Sequence, residues 1–285
     1  MKQIVVISGK GGTGKTTVAA SFAALASNKV VVDCDIDAPD LYILLEPAIL
    51  ERHPFIGSKV AVIDRQRCTQ CGKCAEVCRF DAIAGDLVVD PMSCEGCGLC
   101  SRICPEHAIA MEDKQSGEWF ISETRYGPFV HANLGIAEEN SGKLVSLLRQ
   151  QAQAIAERER RDLIIVDGSP GIGCAVIASV TGADLVLIVT EPTLSGLHDM
   201  LRVVELAQHF HTKIAVAINK YDLNTEMTTE IEQYCSAHDV AVAGRVAYDP
   251  SVTEAMVGRQ TVVEYSRGEA ALQIRSLWDT VIQQC

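Results

Sequence analysis

Residues 9–16 read Gly9-Lys10-Gly11-Gly12-Thr13-Gly14-Lys15-Thr16, with Thr17 following. Glycines in this density let successive backbone N–H groups curl around phosphate oxygens. Lys15 brings a point charge to the β- and γ-phosphates, and the Thr16 hydroxyl can ligate Mg²⁺. A second chemistry lies in the cysteines. Eight of the twelve fall into two runs, Cys68-x-x-Cys71-x-x-Cys74-x-x-x-Cys78 and Cys94-x-x-Cys97-x-x-Cys100-x-x-x-Cys104-Pro105. Thiolates so spaced wrap a metal centre from one tight loop, and soft sulfur ligands select iron–sulfur clusters or zinc. Carboxylates complete the inventory, with Asp33-Cys34-Asp35 and Asp167 each closing an apolar, β-branched run.

These groups need particular elements to hold them. A phosphate loop must leave a strand and open a helix. Gln3 to Ile7 is short and β-branched and Thr16 to Ala26 is Ala-rich, and a second strand follows over Lys29 to Val32, which makes a βαβ opening. Past residue 112, Ser141 to Arg161 has helical spacing. The runs Leu163 to Val166, Leu185 to Val189 and Ile214 to Ile218 then alternate with helical stretches, as in a doubly wound, mostly parallel α/β sheet. Acids at the carboxyl ends of such strands face the ligand crevice. Residues 117 to 134, with Gly127-Pro128 between apolar pairs, read as a hairpin returning to that sheet. Ser141 or Asn140 can cap the helix that follows, and the stretch from Glu138 to Lys143 is placed to act as a relay.

The cysteine segment repeats with a period of 26 residues. Ala61-Val62-Ile63-Asp64 overlays Leu87-Val88-Val89-Asp90, and Ala82-Ile83 overlays Ala108-Ile109. Two such halves build a small α+β domain with two-fold pseudosymmetry, here residues 60–112, inserted into a larger domain of residues 1–59 and 113–285.

Composition narrows the class. With 48% apolar and 22% charged residues over 285 positions the chain is a folded protein, and disorder is excluded. Its net charge of −12 has the wrong sign for a duplex-DNA binder, so no nucleic-acid partner is expected. No apolar run reaches the roughly 20 residues of a membrane span, and no signal peptide opens the chain, so a cytoplasmic protein without membrane insertion is expected. In a reducing compartment the cysteines are metal ligands rather than disulfides.

Lys10 is an extra lysine that a plain phosphate loop does not need, and with it the loop resembles the deviant Walker A family of P-loop ATPases, the MinD/Mrp superfamily. The resemblance implies MgATP as ligand and face-to-face dimers, either a homodimer or a heterodimer with a similar ATPase, in which Lys10 reaches the partner's ATP. It also implies that Asp35 orients the attacking water or the Mg²⁺ shell from a first switch. Asp167 would be the Walker B aspartate, followed by a second switch at Gly168-Ser169-Pro170-Gly171-Ile172-Gly173. Asn219, with Lys220, would contact the adenine edge, although a polar turn at a strand end fits the same residues. Glu191-Pro192-Thr193 and Tyr248-Asp249-Pro250 would line the base pocket through backbone groups.

The cysteine runs resemble bacterial ferredoxins, in which the fourth cysteine of each run ligates the other cluster. The resemblance implies two [4Fe–4S] clusters, one on Cys68, Cys71, Cys74 and Cys104, the other on Cys94, Cys97, Cys100 and Cys78. Arg79 departs from the pattern, which has proline there. Zinc remains the alternative metal, less suited to a repeated triple-plus-one spacing than to ribbons. Of the remaining four cysteines, Cys34, Cys174, Cys235 and Cys285, none forms a C-x-x-C, and Cys174 is read as a buried thiol. The later C-x-x-C of Mrp-type assembly scaffolds is absent.

Together these features imply an ATPase that couples nucleotide-driven dimer switching to electron transfer toward a redox partner protein. An iron–sulfur or metallocofactor assembly factor and a redox-sensing, MinD-like positioning ATPase remain as alternatives. The last helix, with Leu272, Ile274, Leu277, Trp278 and Val281, is amphipathic and is expected to dock on the sheet.

Overall fold

The apolar run Ile4–Ile7 and its counterparts downstream are each bounded by turn residues and helical stretches. They form strands buried on both faces, as parallel strands under two helical layers must be. The computed structural model describes residues 1–135 and 141–285. In chain order it contains β1 (Lys2–Ser8), α1 (Lys15–Leu25), β2 (Lys29–Asp33), α2 (Leu41–Leu45), β3 (Ala48–Ile63), α3 (Lys73–Glu76), α4 (Leu99–Ile103), β4 (Ile109–Thr124) and β5 (Gly127–Leu134). There follow α5 (Ser141–Glu159), β6 (Leu163–Pro170), α6 (Cys174–Val180), β7 (Leu185–Thr190), α7 (Leu194–His209), β8 (Lys213–Asn219), α8 (Thr225–Ala237), β9 (Ala241–Val246), α9 (Ser251–Val257), α10 (Val262–Tyr265) and α11 (Glu269–Gln284).

The chain divides into two compact units. One comprises Met1–Arg52, Trp119–Asn133 and Ser141–Cys285, and the other His53–Glu118 with residues 134–140. The strand order is β3-β4-β5-β2-β6-β1-β7-β8-β9. In the first unit, β1 pairs in parallel with β6 and β7, β2 with β5 and β6, and β8 with β7 and β9. This is the mostly parallel α/β sheet that the alternation of elements implies. Register sets the site, because Val6 and Asp33 both lie beside Asp167, so the ends of β1, β2 and β6 converge on one crevice. The main core packs Val18 and Phe22 of α1 and Ile274, Leu277 and Val281 of α11 against β1, β6, β7 and β8. Docking of α11 agrees with its apolar stripe, except that Leu272 is 59% exposed: it stands outside the stripe formed by Ile274, Leu277 and Val281.

In the second unit the repeat is visible in the backbone. Asp64 N–H donates to Ala108 O at 2.8 Å and Asp90 N–H to Ala82 O at 2.7 Å, each half closing on the other at positions 26 residues apart. Asp64 Oδ1 accepts from Gln66 N and Asp90 Oδ1 from Met92 N, the same turn twice. Gly72 and Gly98 take φ of 76° and 73°, the left-handed entry to α3 and α4. Its core is small, with Ala61, Ile83, Leu87 and Ile109 joined by Cys74 and Cys100.

Candidate functional site

The loop after β1 closes through two left-handed glycines, Gly12 and Gly14, with φ of 80° and 91°. Gly14 is required twice over, since a Cβ there would also collide with the Asn219 side chain. Gly9 passes so close to α7 that a Cβ would lie 2.5 Å from Asp199 Cβ. Lys15 opens α1 and turns inward. Its Nζ lies 2.6 Å from Asp167 Oδ1, 3.1 Å from Asp35 Oδ2 and 3.3 Å from Thr16 Oγ1. All three charged groups are buried. Desolvation works against the Lys15 cation, but Asp167 and Asp35 outweigh it and hold its pKa above the ordinary lysine value. Burial pushes Asp33 well above the usual carboxylate range, and neighbouring Asp167 adds to the push. Asp33 Oδ1 accepts from Asp35 N at 3.0 Å, which fixes the strand end.

Among the described residues, four buried oxygens here have no hydrogen-bond partner: Thr13 Oγ1, Asp33 Oδ2, Asp35 Oδ1 and Asp167 Oδ2. A polar group buried without a partner costs about 1–3 kcal/mol. A hydrated Mg²⁺ and a phosphate chain offer what these groups lack, so the residues fit MgATP. Thr17 contributes its carbonyl to Ser21 Oγ within α1.

Lys10 is held by its own chain. Its Nζ lies 2.6 Å from Glu191 Oε1 and 2.9 Å from Ser195 Oγ. Glu191 Oε2 takes Lys220 Nζ at 3.1 Å, and the same ammonium donates to Gly12 O at 3.1 Å. Burial would raise the Glu191 pKa, but the two lysines hold it below the ordinary glutamate value. The sequence assigned Glu191 and Thr193 to the base pocket through backbone groups. The structure gives their side chains roles of their own, Glu191 as the clamp on two lysines and Thr193 Oγ1 as the cap accepting from Gly196 N at the start of α7. A lone acid at the end of β7, in a site with lysines at positions 10 and 220, was the available signal.

Asn219 ends β8 and donates Nδ2 to Thr13 O at 2.7 Å, so its amide holds the phosphate loop. Asp222 Oδ1 accepts from Tyr248 N at 2.7 Å, which joins the turns after β8 and β9. Asp249 Oδ1 accepts from Ser251 N at the start of α9. Gly11 is exposed, with open space where a Cβ would lie.

The eight repeat cysteines line two cavities of the second unit, four to each. Cys78, Cys94, Cys97 and Cys100 line one, and Cys68, Cys71, Cys74 and Cys104 line the other. These are the two sets implied by cross-ligation. None of the twelve cysteines is in a disulfide. Among the described residues no group of three or more His, Cys, Asp or Glu is arranged to hold a metal ion directly.

Cys174 corrects the expectation of a buried thiol. It is exposed at the first turn of α6, while Cys34 and Cys235 are the buried ones. The expected cap and relay residues Glu138, Glu139 and Asn140 lie outside the described residues, as does the Ser141 side chain. Among the described residues no helix is long and apolar enough to cross a membrane.

Comparison with known proteins adds the following. A profile described as the CobQ/CobB/MinD/ParA nucleotide binding domain matches residues 4–262. The chain is 37% identical over 226 residues to the uncharacterized protein MJ0578 of Methanocaldococcus jannaschii, spanning 78% of this chain and 79% of that one. It is 26% identical over 280 residues to the uncharacterized ATP-binding protein MJ0547 of the same organism, spanning 96% and 85%. Among solved structures it resembles the MinD cell division protein of Aquifex aeolicus, with a TM-score of 0.58, 19% identity and coverage of 99% and 97%.

Proposed function

Because this chain belongs to the CobQ/CobB/MinD/ParA nucleotide-binding family and is a P-loop ATPase, we propose that it couples its ATP cycle to one-electron transfer through two [4Fe–4S] clusters held by residues 60–112. The observation that carries this reading is the sorting of eight cysteines onto two cavities in the two cross-ligated sets. When bound, the clusters supply one-electron storage. Every other role falls to the chain's own residues.

Lys15 and the loop amides take the charge of the β- and γ-phosphates, and Thr16 offers its hydroxyl to Mg²⁺. Asp35 and Asp167, released from Lys15 as phosphate replaces them, serve the Mg²⁺ shell and the attacking water. Lys10, released from Glu191, reaches the ATP of a second subunit, in a homodimer or in a heterodimer with a similar ATPase. Asn219 and Lys220 keep the loop in shape through Thr13 and Gly12 and would contact the adenine edge, and Asp249 shapes the neighbouring turn. Residues 60–112 lie in the chain between Asp35 and Asp167, the two carboxylates whose partners change when the γ-phosphate arrives or leaves. This placement supports coupling of nucleotide state to the cysteine sites.

The test is electron release from the dithionite-reduced, cluster-loaded chain to an artificial one-electron acceptor, followed by stopped flow. MgATP is expected to change the rate at least tenfold. An unchanged rate with hydrolysis intact favours a second reading, a MinD-like regulatory ATPase whose clusters report redox state. The whole-chain likeness to a MinD fold is the observation on its side.

A further inference from the structure

The 26-residue repeat places equivalent side chains around the two cysteine cavities, so each place where the pair differs is a break in the pseudosymmetry. Lys73 lines the cavity of Cys68, Cys71, Cys74 and Cys104, and its counterpart Leu99 lines the other. Glu106 lines the first and its counterpart Phe80 the second. Thr69 lines the first and its counterpart Glu95 the second. The first cavity is therefore lined by one cation and one anion, whose charges cancel. The second has Phe80 and Leu99, 45% and 41% exposed, with a lone carboxylate. Arg79, the counterpart of Pro105, is exposed and does not line the second cavity.

The ligands differ as well. Ala108 N–H donates to Cys104 Sγ at 3.4 Å, and among the described residues the equivalent amide of Ala82 makes no such bond to Cys78. A four-thiolate cluster becomes more negative when it gains an electron. An N–H donor to sulfur and a nearby cation favour that reduced form, while a carboxylate with no cation lining the same cavity disfavours it. These differences push the same way.

We infer that the two cysteine sites are electronically unequal, and that a single electron entering the second unit comes to rest at the site of Cys68, Cys71, Cys74 and Cys104. This rests on the proposed cluster content. The step is a one-electron transfer, in which the site of Cys78, Cys94, Cys97 and Cys100 is oxidised by one electron and the other reduced by one, with no bond or proton moved. The electron is supplied by a low-potential one-electron donor, for which dithionite stands in the test.

The experiment is an EPR-monitored redox titration of the full chain, loaded anaerobically with iron and sulfide and free of nucleotide. About eight irons per chain are expected. The two midpoints are expected to differ by at least tenfold in the one-electron equilibrium, 59 mV. Lys73→Leu should lower only the upper midpoint, by about threefold or ~28 mV. Leu99→Lys, or Glu95→Thr should the first disturb folding, should raise only the lower one. Midpoints that coincide, or a Lys73→Leu variant that moves the lower wave, overturn the inference and leave the cluster reading standing. A chain that takes up no iron and shows no EPR signal overturns both.

Discussion

The nucleotide crevice and the cysteine unit meet the problem of buried polar atoms in opposite ways. In the crevice, Lys15 lies between Asp35 and Asp167, and Glu191 lies between Lys10 and Lys220, so the main charges already have partners. The large core of β1, β6, β7, β8, α1 and α11 surrounds them. The cysteine unit has a core of four aliphatic side chains joined by two cysteines, and its thiols face two cavities. The first region is a fold with its own large core. On the proposed reading, the second would take part of its core from the clusters, as small metal-dependent units do.

The sharpest way to break this contrast is Lys15→Met. It leaves buried carboxylates without their cation, so hydrolysis should fall on the order of 10³-fold. Stability should fall by about 3–5 kcal/mol, the cost of an uncompensated buried charge. Turnover and urea denaturation read the two effects, and a stable variant would show that the pairing is incidental.

Stripping iron with a chelator should act on the other region alone. Amide exchange in residues 53–118 should accelerate at least 100-fold, ~2.7 kcal/mol of local stability. ATP affinity should stay within about threefold. Unchanged exchange would mean that the small core suffices.

The sheet unit has its own pH signature. His131, hydrogen-bonded to Ser122 and stacked on Phe120 and Phe129, has its pKa lowered by burial from 6.5 to about 4. The unfolded chain therefore binds the extra proton between these values, and stability is full above pH 6.5 and lost as pH falls toward 4, by up to roughly 3 kcal/mol. His131→Phe should remove that part of the slope from acid denaturation curves. The smallest effect expected is at Glu191. Glu191→Gln loosens Lys10 and should tighten ATP-dependent self-association about threefold, ~0.65 kcal/mol, by sedimentation, with no change when nucleotide is absent.

The legible parts of this molecule were those whose chemistry depends on spacing along the chain. The phosphate loop, the strand ends carrying Asp33, Asp35 and Asp167, and the 26-residue repeat are all local patterns, and local patterns survive in a linear reading. What escaped depends on long-range neighbours. Glu191 meets Lys10 and Lys220 only because β7 lies between β1 and β8 in the sheet. Asn219 holds Thr13 across 206 residues of chain. The stretch after Pro39 carries little sequence pattern because β3 alternates weakly, with mostly exposed residues, and because α2 is only five residues long. Cys174 read as a small buried thiol because nothing in the sequence shows that the first turn of α6 faces outward.

The central claim, that nucleotide state and cluster redox state are linked, is tested most directly by the midpoint potentials of the loaded chain measured without nucleotide and with MgATP or a non-hydrolysable analogue. The account predicts that at least one midpoint moves by 59 mV or more, a tenfold change or ~1.4 kcal/mol of coupling. Potentials that stay in place while MgATP binds and is hydrolysed would contradict it.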